Sequence, residues 1–192
     1  MNRRIAERVK ELRSASRLSL DTLANRSGVS RSMISLIERG KCSPTAAILG
    51  KLSVGLCVTV ASLFETPLGE KRLAGGPVSR RKDQLQWQDP VSGYRRRNLS
   101  PSSVPQPMQI VEVDFPPGGR VAFENASYNV RVYQQVWVLR GSINITLGTE
   151  SYRLQSGDCI AMQLDRPIVF HNPTRSSTRY AVVIAPESPA RR

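Results

Sequence analysis

Hydrophobic residues in the first third of the chain recur with the spacing of an α-helix. In "RIAERVKELR", Ile5, Val9 and Leu12 stand at i, i+4 and i+7, which puts them on one helical face. Further apolar faces follow residues whose side chains suit helix caps, namely Ser19, Ser30 and Thr45. With "VTVASLFE" as a short last helix, the pattern predicts five helices, which form an all-α unit over residues 1–65, the head.

The period of the pattern changes to two in the second half of the chain. "QIVEVDF" and "SINITLG" alternate apolar with polar residues, and similar short runs are separated by Gly, Pro, Asp or Asn. Many short strands without helices between them indicate an antiparallel sandwich or barrel. We expect this all-β unit, the barrel, to span 94–186. Residues 66–93, which contain Gly-Gly, prolines and basic residues, read as a linker, and 187–192 as a basic tail.

Positive charge is concentrated before the barrel. The chain carries 28 Lys and Arg against 15 Asp and Glu, a net charge of +13. Residues 1–65 hold 11 basic and 5 acidic groups, and 66–110 hold 8 and 3, whereas 111–192 hold 9 and 7. Such an excess favours a polyanionic partner, either nucleic acid or an acidic membrane surface. The run Arg95 to Arg97 would then contact a DNA backbone or, as the pattern favours, be solvated linker charge.

The remaining composition indicates a cytoplasmic protein. No apolar run approaches the roughly 18 residues of a membrane span, and Met1 to Leu12 is too charged for the core of a signal peptide. The three cysteines are odd in number, far apart and without metal-ligand spacing, which fits a reducing compartment. We expect Cys42, Cys57 and Cys159 to be small core residues.

Two of the predicted helices have the layout of a helix-turn-helix. Gly28 permits a sharp turn between them, Val29 can fill the angle, and the second helix is flanked by basic residues. The stretch "LSLDTLANRSGVSRSMISLIERGKCSPT" resembles the Xre/lambda-repressor-like family of five-helix DNA-binding domains, over roughly Arg4 to Glu65. Capping, turn and core positions agree with that family in register.

The resemblance implies a recognition helix over Ser30 to Arg39 that enters the major groove of double-stranded DNA. It places Arg31, Ser32 and Leu36 at base-contacting positions, and arginine suits a bidentate contact with guanine. Phosphate contacts would come from Ser30, Ser35, Arg39 and Lys41. The resemblance also pairs Arg13 with Glu38 as scaffold. Leu20 departs from the family pattern, because a phosphate-binding glutamine often stands there.

The second half resembles a cupin, a double-stranded β-helix or jelly-roll barrel. The signals are "VWVLRG", "LQSGD" and the proline before the closing strands, within Gln106 to Pro186. Metal-binding cupins use two histidines, a glutamate and a later histidine. Their positions here hold Gln134, Ile168 and either Tyr128 with Val130 or Ser127 with Asn129, so no metal and no cofactor is expected. His171, the single histidine, should point away from the interior, and no catalytic set is evident, so we do not expect an enzyme.

A barrel of this size leaves room for its own side chains or for one small ligand. A ligand cavity would be lined by Tyr128, Gln134, Val136, Ile168 and Phe170, which suits a small organic effector. A filled barrel that serves only dimerisation is the alternative.

The two resemblances together match bacterial one-component regulators that join an Xre-type head to a cupin sensor. The hypothesis is a homodimeric transcriptional repressor that reads an inverted repeat and binds a small effector in a metal-free barrel. The rival from another class is a cupin enzyme with a vestigial head, as in a mononuclear-iron epoxidase.

Overall fold

Four α-helices build the head, and side-chain caps fix where three of them begin. The computed structural model describes residues 2–64, 76–101, 108–124 and 131–187. Ser19, Ser30 and Thr45 each accept a hydrogen bond from the backbone N–H three residues further on, at 3.0, 3.3 and 3.2 Å. These are the caps that the sequence predicts. The helices are α1 Asn2–Ala15, α2 Leu20–Ser27, α3 Arg31–Glu38 and α4 Ala46–Gly55.

The expectation of five helices is wrong for the described residues, because the fifth forms only as a short 3-10 helix, Ala61–Phe64. Helix α4 stops where Cys57 adopts φ 56°, and the Val58 N–H closes back on the Ser53 carbonyl at 2.9 Å. The β-branched run from Val58 to Val60 then disfavours a new α-helix.

The apolar faces of the helices meet in the head. Ser27 on α2 and Gly55 on α4 allow two of the helices to approach closely, since a Cβ added to Gly55 would lie 2.8 Å from the Ser27 Cβ. Any side chain at position 55 would therefore push α2 and α4 apart. The side chains at the centre are almost fully buried: Ile5, Val9, Leu23, Ile34, Ile37, Leu49, Leu52 and Leu63.

Beyond the head, the described residues form two antiparallel sheets, in the strand orders β1-β2-β3-β10-β5-β8 and β4-β9-β6-β7. A short 3-10 helix, Arg81–Asp83, precedes them. The strands are β1 Gln86–Gln88, β2 Arg95–Asn98, β3 Gln109–Phe115, β4 Arg120–Phe123, β5 Val132–Arg140, β6 Ser142–Leu147, β7 Glu150–Gln155, β8 Cys159–Gln163, β9 Ile168–His171 and β10 Thr178–Pro186.

Alternation along the strands places the barrel core between the sheets. In β5, Val132, Gln134, Val136 and Val138 are buried, while the residues between them are exposed or nearly so. The structure places β1 inside the segment 66–93 that reads as a linker, where it pairs with β2 at the edge of the larger sheet.

Head and barrel meet through side chains rather than through a chain connection alone. The Asp89 carboxylate accepts a hydrogen bond from the Ala46 N–H at 2.9 Å, and thereby caps α4 from the turn between β1 and β2. The Phe64 ring lies edge-on to Trp87, with centroids 5.5 Å apart, and the Phe64 carbonyl accepts from the Asn98 amide at 3.3 Å. The buried cores of head and barrel are therefore continuous. We call the region formed by Ala46, Phe64, Trp87, Asp89 and Asn98 the joint.

The favoured interpretation of Arg95 to Arg97 as solvated linker charge is wrong for two of the three residues. All three lie in β2, where only Arg95 is exposed. Arg97 points to the outer face of the sheet and pairs with Glu112, whereas Arg96 points inward and is 8% exposed. Strand alternation, which a run of identical residues conceals, decides their surroundings.

The cysteine prediction is also wrong for two residues. Cys57 and Cys159 are exposed and Cys42 is partly buried, all three as free thiols. Cys57 occupies the left-handed position that ends α4, and Cys159 begins β8 on its outer side. In the described ranges, no helix is both long and apolar enough to cross a bilayer.

Candidate functional site

Helices α2 and α3 are joined by three residues, which form the turn, fill the angle between the helices and cap α3. Gly28 takes φ 64°, and its N–H closes α2 on the Ala24 carbonyl at 2.9 Å. Val29 is buried in the angle between the helices, and the Ser30 hydroxyl caps α3 by accepting from the Met33 N–H. The turn that the sequence predicts is the turn that forms.

The outer side of this unit carries the residues predicted to contact DNA. On α3, Ile34 and Ile37 are buried in the head. The opposite side is open, and even its apolar member Leu36 is 37% exposed. Around it lie, exposed or partly exposed, the remaining predicted residues: Ser30, Arg31, Ser32, Ser35, Arg39 and Lys41. All seven lie on α3 or directly beside its ends, and none of them is buried.

Local contacts preorganise the two arginines of this side. The Arg31 guanidinium lies 3.3 Å from the Asp21 carboxylate on α2, with both side chains about two-thirds exposed. The Arg39 Nε donates to the Ser35 carbonyl at 3.1 Å. Exposed ion pairs are worth at most about 1 kcal/mol, so Arg31 leaves Asp21 at little cost for a stronger partner.

An ion pair between Arg13 on α1 and Glu38 on α3 holds the two helices together. Arg13 donates from Nε and Nη2 to the two carboxylate oxygens of Glu38, at 2.6 and 2.8 Å, and from Nη1 to the Leu18 carbonyl at 2.9 Å. The hydrogen bonds to Glu38 raise the pKa of Arg13, against the opposing effect of burial. The scaffold pair that the resemblance implies is therefore present, and it fixes the C-terminal end of α3.

The barrel contains a cavity whose wall includes residues from the end of the head. Its interior leaves about 60 Å³ for the centres of water-sized molecules. The wall consists mainly of aliphatic and aromatic side chains from both sheets, and the head contributes Thr59, Val60 and Ala61. The polar side chains in the wall are those of Thr59, Tyr94, Arg96, Gln134 and Tyr180.

Three of the five predicted ligand-binding residues line this cavity, namely Gln134, Ile168 and Phe170. Val136 is fully buried but does not line it, and Tyr128 lies outside the described residues. Among the described residues, the amide nitrogen of Gln134 donates weakly to the Met162 sulfur at 3.8 Å.

Sequence reasoning missed the contribution of β2 and of the head to the cavity. Arg96 lines it from β2 and Tyr94 from the residue just before that strand, and Thr59 to Ala61 reach it from the end of the head. Alternation within "GYRRRN" holds a signal, because Tyr94 and Arg96 share a strand face. Nothing in the linear pattern places the head at the mouth of the barrel.

The two cavity tyrosines stay neutral over a wide pH range. Burial raises the pKa of Tyr94 to about 12, and it raises the pKa of Tyr180 well above its usual range. A neutral phenol donates one hydrogen bond, so both rings are apolar walls with a single donor.

The donor set does not fit a transition metal at the described positions. Gln134 offers a neutral amide and Ile168 an aliphatic chain where metal-binding cupins carry a carboxylate and an imidazole. The remaining ligand positions lie at residues 127–130, outside the described residues. No group of three or more His, Cys, Asp and Glu with metal-binding geometry occurs in the parts of the chain that the structure describes.

Comparisons with known proteins match the head to a family of DNA-binding domains. Residues 4–63 match the model of the helix-turn-helix domain family HTH_31. The HTH-type transcriptional regulator SutR of Escherichia coli (strain K12) is 41% identical over 59 residues, which are 31% of this chain and 33% of that protein. The chain thus spans about a third of the length of this curated relative.

Solved structures extend the likeness beyond the head. An HTH_3 family transcriptional regulator from Vibrio cholerae is 25% identical and superposes with a TM-score of 0.73, covering 98% of this chain and 97% of that one. Hydroxypropylphosphonic acid epoxidase from S. wedmorenis is 16% identical with a TM-score of 0.48, over 96% and 97% of the two chains, and a likeness this weak carries no argument about function. Residues 4–63 therefore form a helix-turn-helix domain, and two antiparallel sheets follow it in the chain.

Proposed function

We propose that this protein is a sequence-specific transcriptional regulator that binds DNA as a homodimer and responds to a small molecule in its barrel. The observation that carries the proposal is the α2–α3 unit, whose buried side fixes it in the head and whose open side presents Arg31, Ser32 and Leu36. A helix held in this way enters a major groove with its N-terminal residues toward the base edges.

The charges around α3 suit the phosphates that flank the groove. Lys41 and Arg39 follow the helix, Arg26 lies in the last turn of α2, and the head as a whole carries six more basic than acidic groups. Such contacts position the protein without reading sequence, and each phosphate neutralised makes binding more dependent on salt. Sequence reading is left to the residues at the start of α3.

Replacing Arg31 with alanine should weaken binding to the preferred site by about 1–3 kcal/mol and relax the preference at one base position. The reason is that Arg31 is the arginine at the start of α3, where side chains meet base edges, and its guanidinium fork suits guanine. The measurement is selection of bound sequences from random DNA at about 150 mM salt, first with the wild type and then with the variant, followed by titration on the selected site.

Lys41→Ala is the matched control, because Lys41 is equally exposed but lies beyond α3. It should weaken all DNA to a similar extent and reduce the salt slope by about one. Wild-type protein that enriches no motif would contradict sequence-specific binding. Two variants with identical effects on all DNA would contradict the role of Arg31 in base reading.

The outer face of the larger sheet offers a surface for a second copy. Trp137 and Tyr133 on β5 are 52% and 44% exposed, and Ile110 on β3 is 37% exposed. Ala181 and Val183 on β10 lie between these strands and, with Gln135 exposed between Tyr133 and Trp137, complete a largely apolar patch, which we call the outer patch. Its rim carries both signs of charge, in the pairs Arg97–Glu112 and Arg179–Asp114. An apolar centre with a rim of mixed charge is self-complementary about a twofold axis.

Trp137→Lys should raise the dimer dissociation constant by at least about thirtyfold, because a large central aromatic residue contributes about 2 kcal/mol or more to an interface. Light scattering coupled to size-exclusion chromatography measures it. Tyr152→Lys is the control, since Tyr152 is 39% exposed on the smaller sheet. A monomeric wild type, or a Trp137 variant that dimerises like the wild type, would refute the assignment of this face.

A dimer of this kind reads two half-sites about 34 Å apart, or a multiple of that distance, so the selected motif should be an inverted repeat. We propose repression as the sign of regulation, because a dimer that only covers its site blocks transcription without a further contact. A ligand that changes operator affinity tenfold must favour one arrangement of the heads by about 1.4 kcal/mol. Such coupling is supported by the cavity wall, part of which consists of residues of the head.

A further inference from the structure

Arg96 is a buried cation without a counter-charge. Its side chain enters the cavity from the middle of β2 and is 8% exposed. Within the described part of the chain, Nε and Nη2 are buried and have no hydrogen-bond partner, and Cζ lies 4.8 Å from the centre of the Phe64 ring.

Its neighbours in the same strand show what is missing. Arg95 lies 3.7 Å from the Asp114 carboxylate, and Arg97 donates to Glu112. The described residues that line the cavity include no Asp or Glu, so Arg96 meets two phenols and an aromatic ring instead. A guanidinium that is desolvated without a partner destabilises the fold, and here burial also lowers the pKa of Arg96. A bound anion would recover that loss.

We propose that the effector is a small organic monocarboxylate whose carboxylate pairs with Arg96 and whose apolar body fills the cavity. This inference rests on the proposed sensing function and specifies its ligand. Nε and Nη2 of Arg96 form the fork that pairs with the two oxygens of a carboxylate, which reaches them when the side chains that cover both nitrogens move aside. Tyr94, Tyr180 and the amide of Gln134 line the same cavity and supply donors beside it, while Phe115 and Phe170 form the apolar wall.

The charge and the volume of the cavity limit the chemical class of the ligand. A cavity with one cation neutralises one negative charge, so a doubly charged phosphate or phosphonate would remain with an unpaired buried charge. At about 10–15 Å³ per water centre, the interior holds four to six waters, a liquid volume of about 120–180 Å³. An acid of about the size of benzoate or isobutyrate fits that space.

The position of Arg96 also connects the ligand to the head. Phe64, whose ring covers the guanidinium, is the last residue of the 3-10 helix of the head, and Thr59 to Ala61 form part of the cavity wall. A carboxylate that pairs with the Arg96 guanidinium therefore contacts or displaces residues of the head directly. No relay through the barrel is required.

Benzoate and isobutyrate are the probes, tested on the full chain by calorimetric titration and thermal unfolding, with benzyl alcohol and phenylphosphonate as comparison compounds. At about a hundred times Kd, at least one carboxylate should raise the melting temperature by about 5 °C or more. Benzyl alcohol, which lacks the charge, and phenylphosphonate, which carries more of it, should bind at least tenfold more weakly.

Arg96→Met should abolish the carboxylate response and leave the free protein as stable as the wild type or more so, because it removes a buried unpaired charge. Arg97→Met is the matched control: it strands Glu112, so it should lower stability and keep the response.

The inference is overturned if neither acid stabilises the wild type, if Arg96→Met responds as the wild type does, or if phenylphosphonate binds most tightly. Protein that selects an inverted repeat but ignores both acids refutes the ligand class alone. Protein that binds an acid through Arg96 but selects no DNA motif supports the ligand class and refutes the regulator.

Discussion

Arg13→Met should reduce the free energy of unfolding by about 3–5 kcal/mol, since removing one partner of a buried ion pair leaves the other charge without compensation. The Glu38 side chain is 7% exposed and receives two hydrogen bonds from Arg13. Methionine keeps much of the volume of arginine and none of its donors, so the loss is electrostatic rather than steric. Because the pair ties α1 to the end of α3, DNA binding should fall together with stability.

Helix α1 provides the control for this prediction. Arg3 pairs with Glu7 at 3.0 Å, but its side chain is 91% exposed. Arg3→Met should therefore change stability by less than about 0.5 kcal/mol. Urea unfolding of both variants, followed by circular dichroism, measures the two losses. Equal losses would show that the Arg13–Glu38 pair does not hold the head together.

Asp89→Ala should destabilise the protein by about 2–3 kcal/mol, because it leaves a buried N–H at the start of α4 without an acceptor. Ala46 is 1% exposed, and its N–H donates to Asp89 at 2.9 Å. The other carboxylate oxygen accepts from the Ser92 N–H at 2.8 Å and from the Ser92 hydroxyl. One side chain thus serves both the β1–β2 turn and the head. Denaturant unfolding gives the magnitude, and amide exchange at Ala46 gives the location.

Ser92→Ala separates the two roles of Asp89. It removes the side-chain contact within the turn but leaves the hydrogen bond to Ala46. It should cost less than Asp89→Ala and leave exchange at Ala46 unchanged. If Ser92→Ala accelerated that exchange as strongly as Asp89→Ala, the turn would be the source of the effect, and the cap would not.

Features that depend on neighbours along the chain were predictable. The caps at Ser19, Ser30 and Thr45 and the left-handed Gly28 follow from local hydrogen-bonding rules, and each is present. The prediction of a fifth α-helix was wrong for a local reason too. Cys57 adopts a positive φ, a conformation that a sequence indicates mainly through glycine or asparagine.

Features that depend on distant contacts were not predictable. The burial of Arg96 results from the pairing of β2 with β1 and β3 and from a ring contributed by the head. Likewise, the second cap on α4 comes from Asp89, which lies 43 residues beyond Ala46 in the chain. The pattern of polar and apolar residues does not indicate either contact. The sequence therefore did not predict that Arg96 lines the barrel cavity.

The joint also contains its own optical probe. The chain has two tryptophans, of which Trp137 is half exposed on the outer sheet face, whereas Trp87 is 3% exposed between Phe64 and Tyr94. The Trp87 indole N–H has no hydrogen-bond partner among the described residues, so its emission should be shifted to the blue. A protein carrying Trp137→Phe emits from the joint alone. Movement of the head relative to the barrel is then visible in solution without any attached dye.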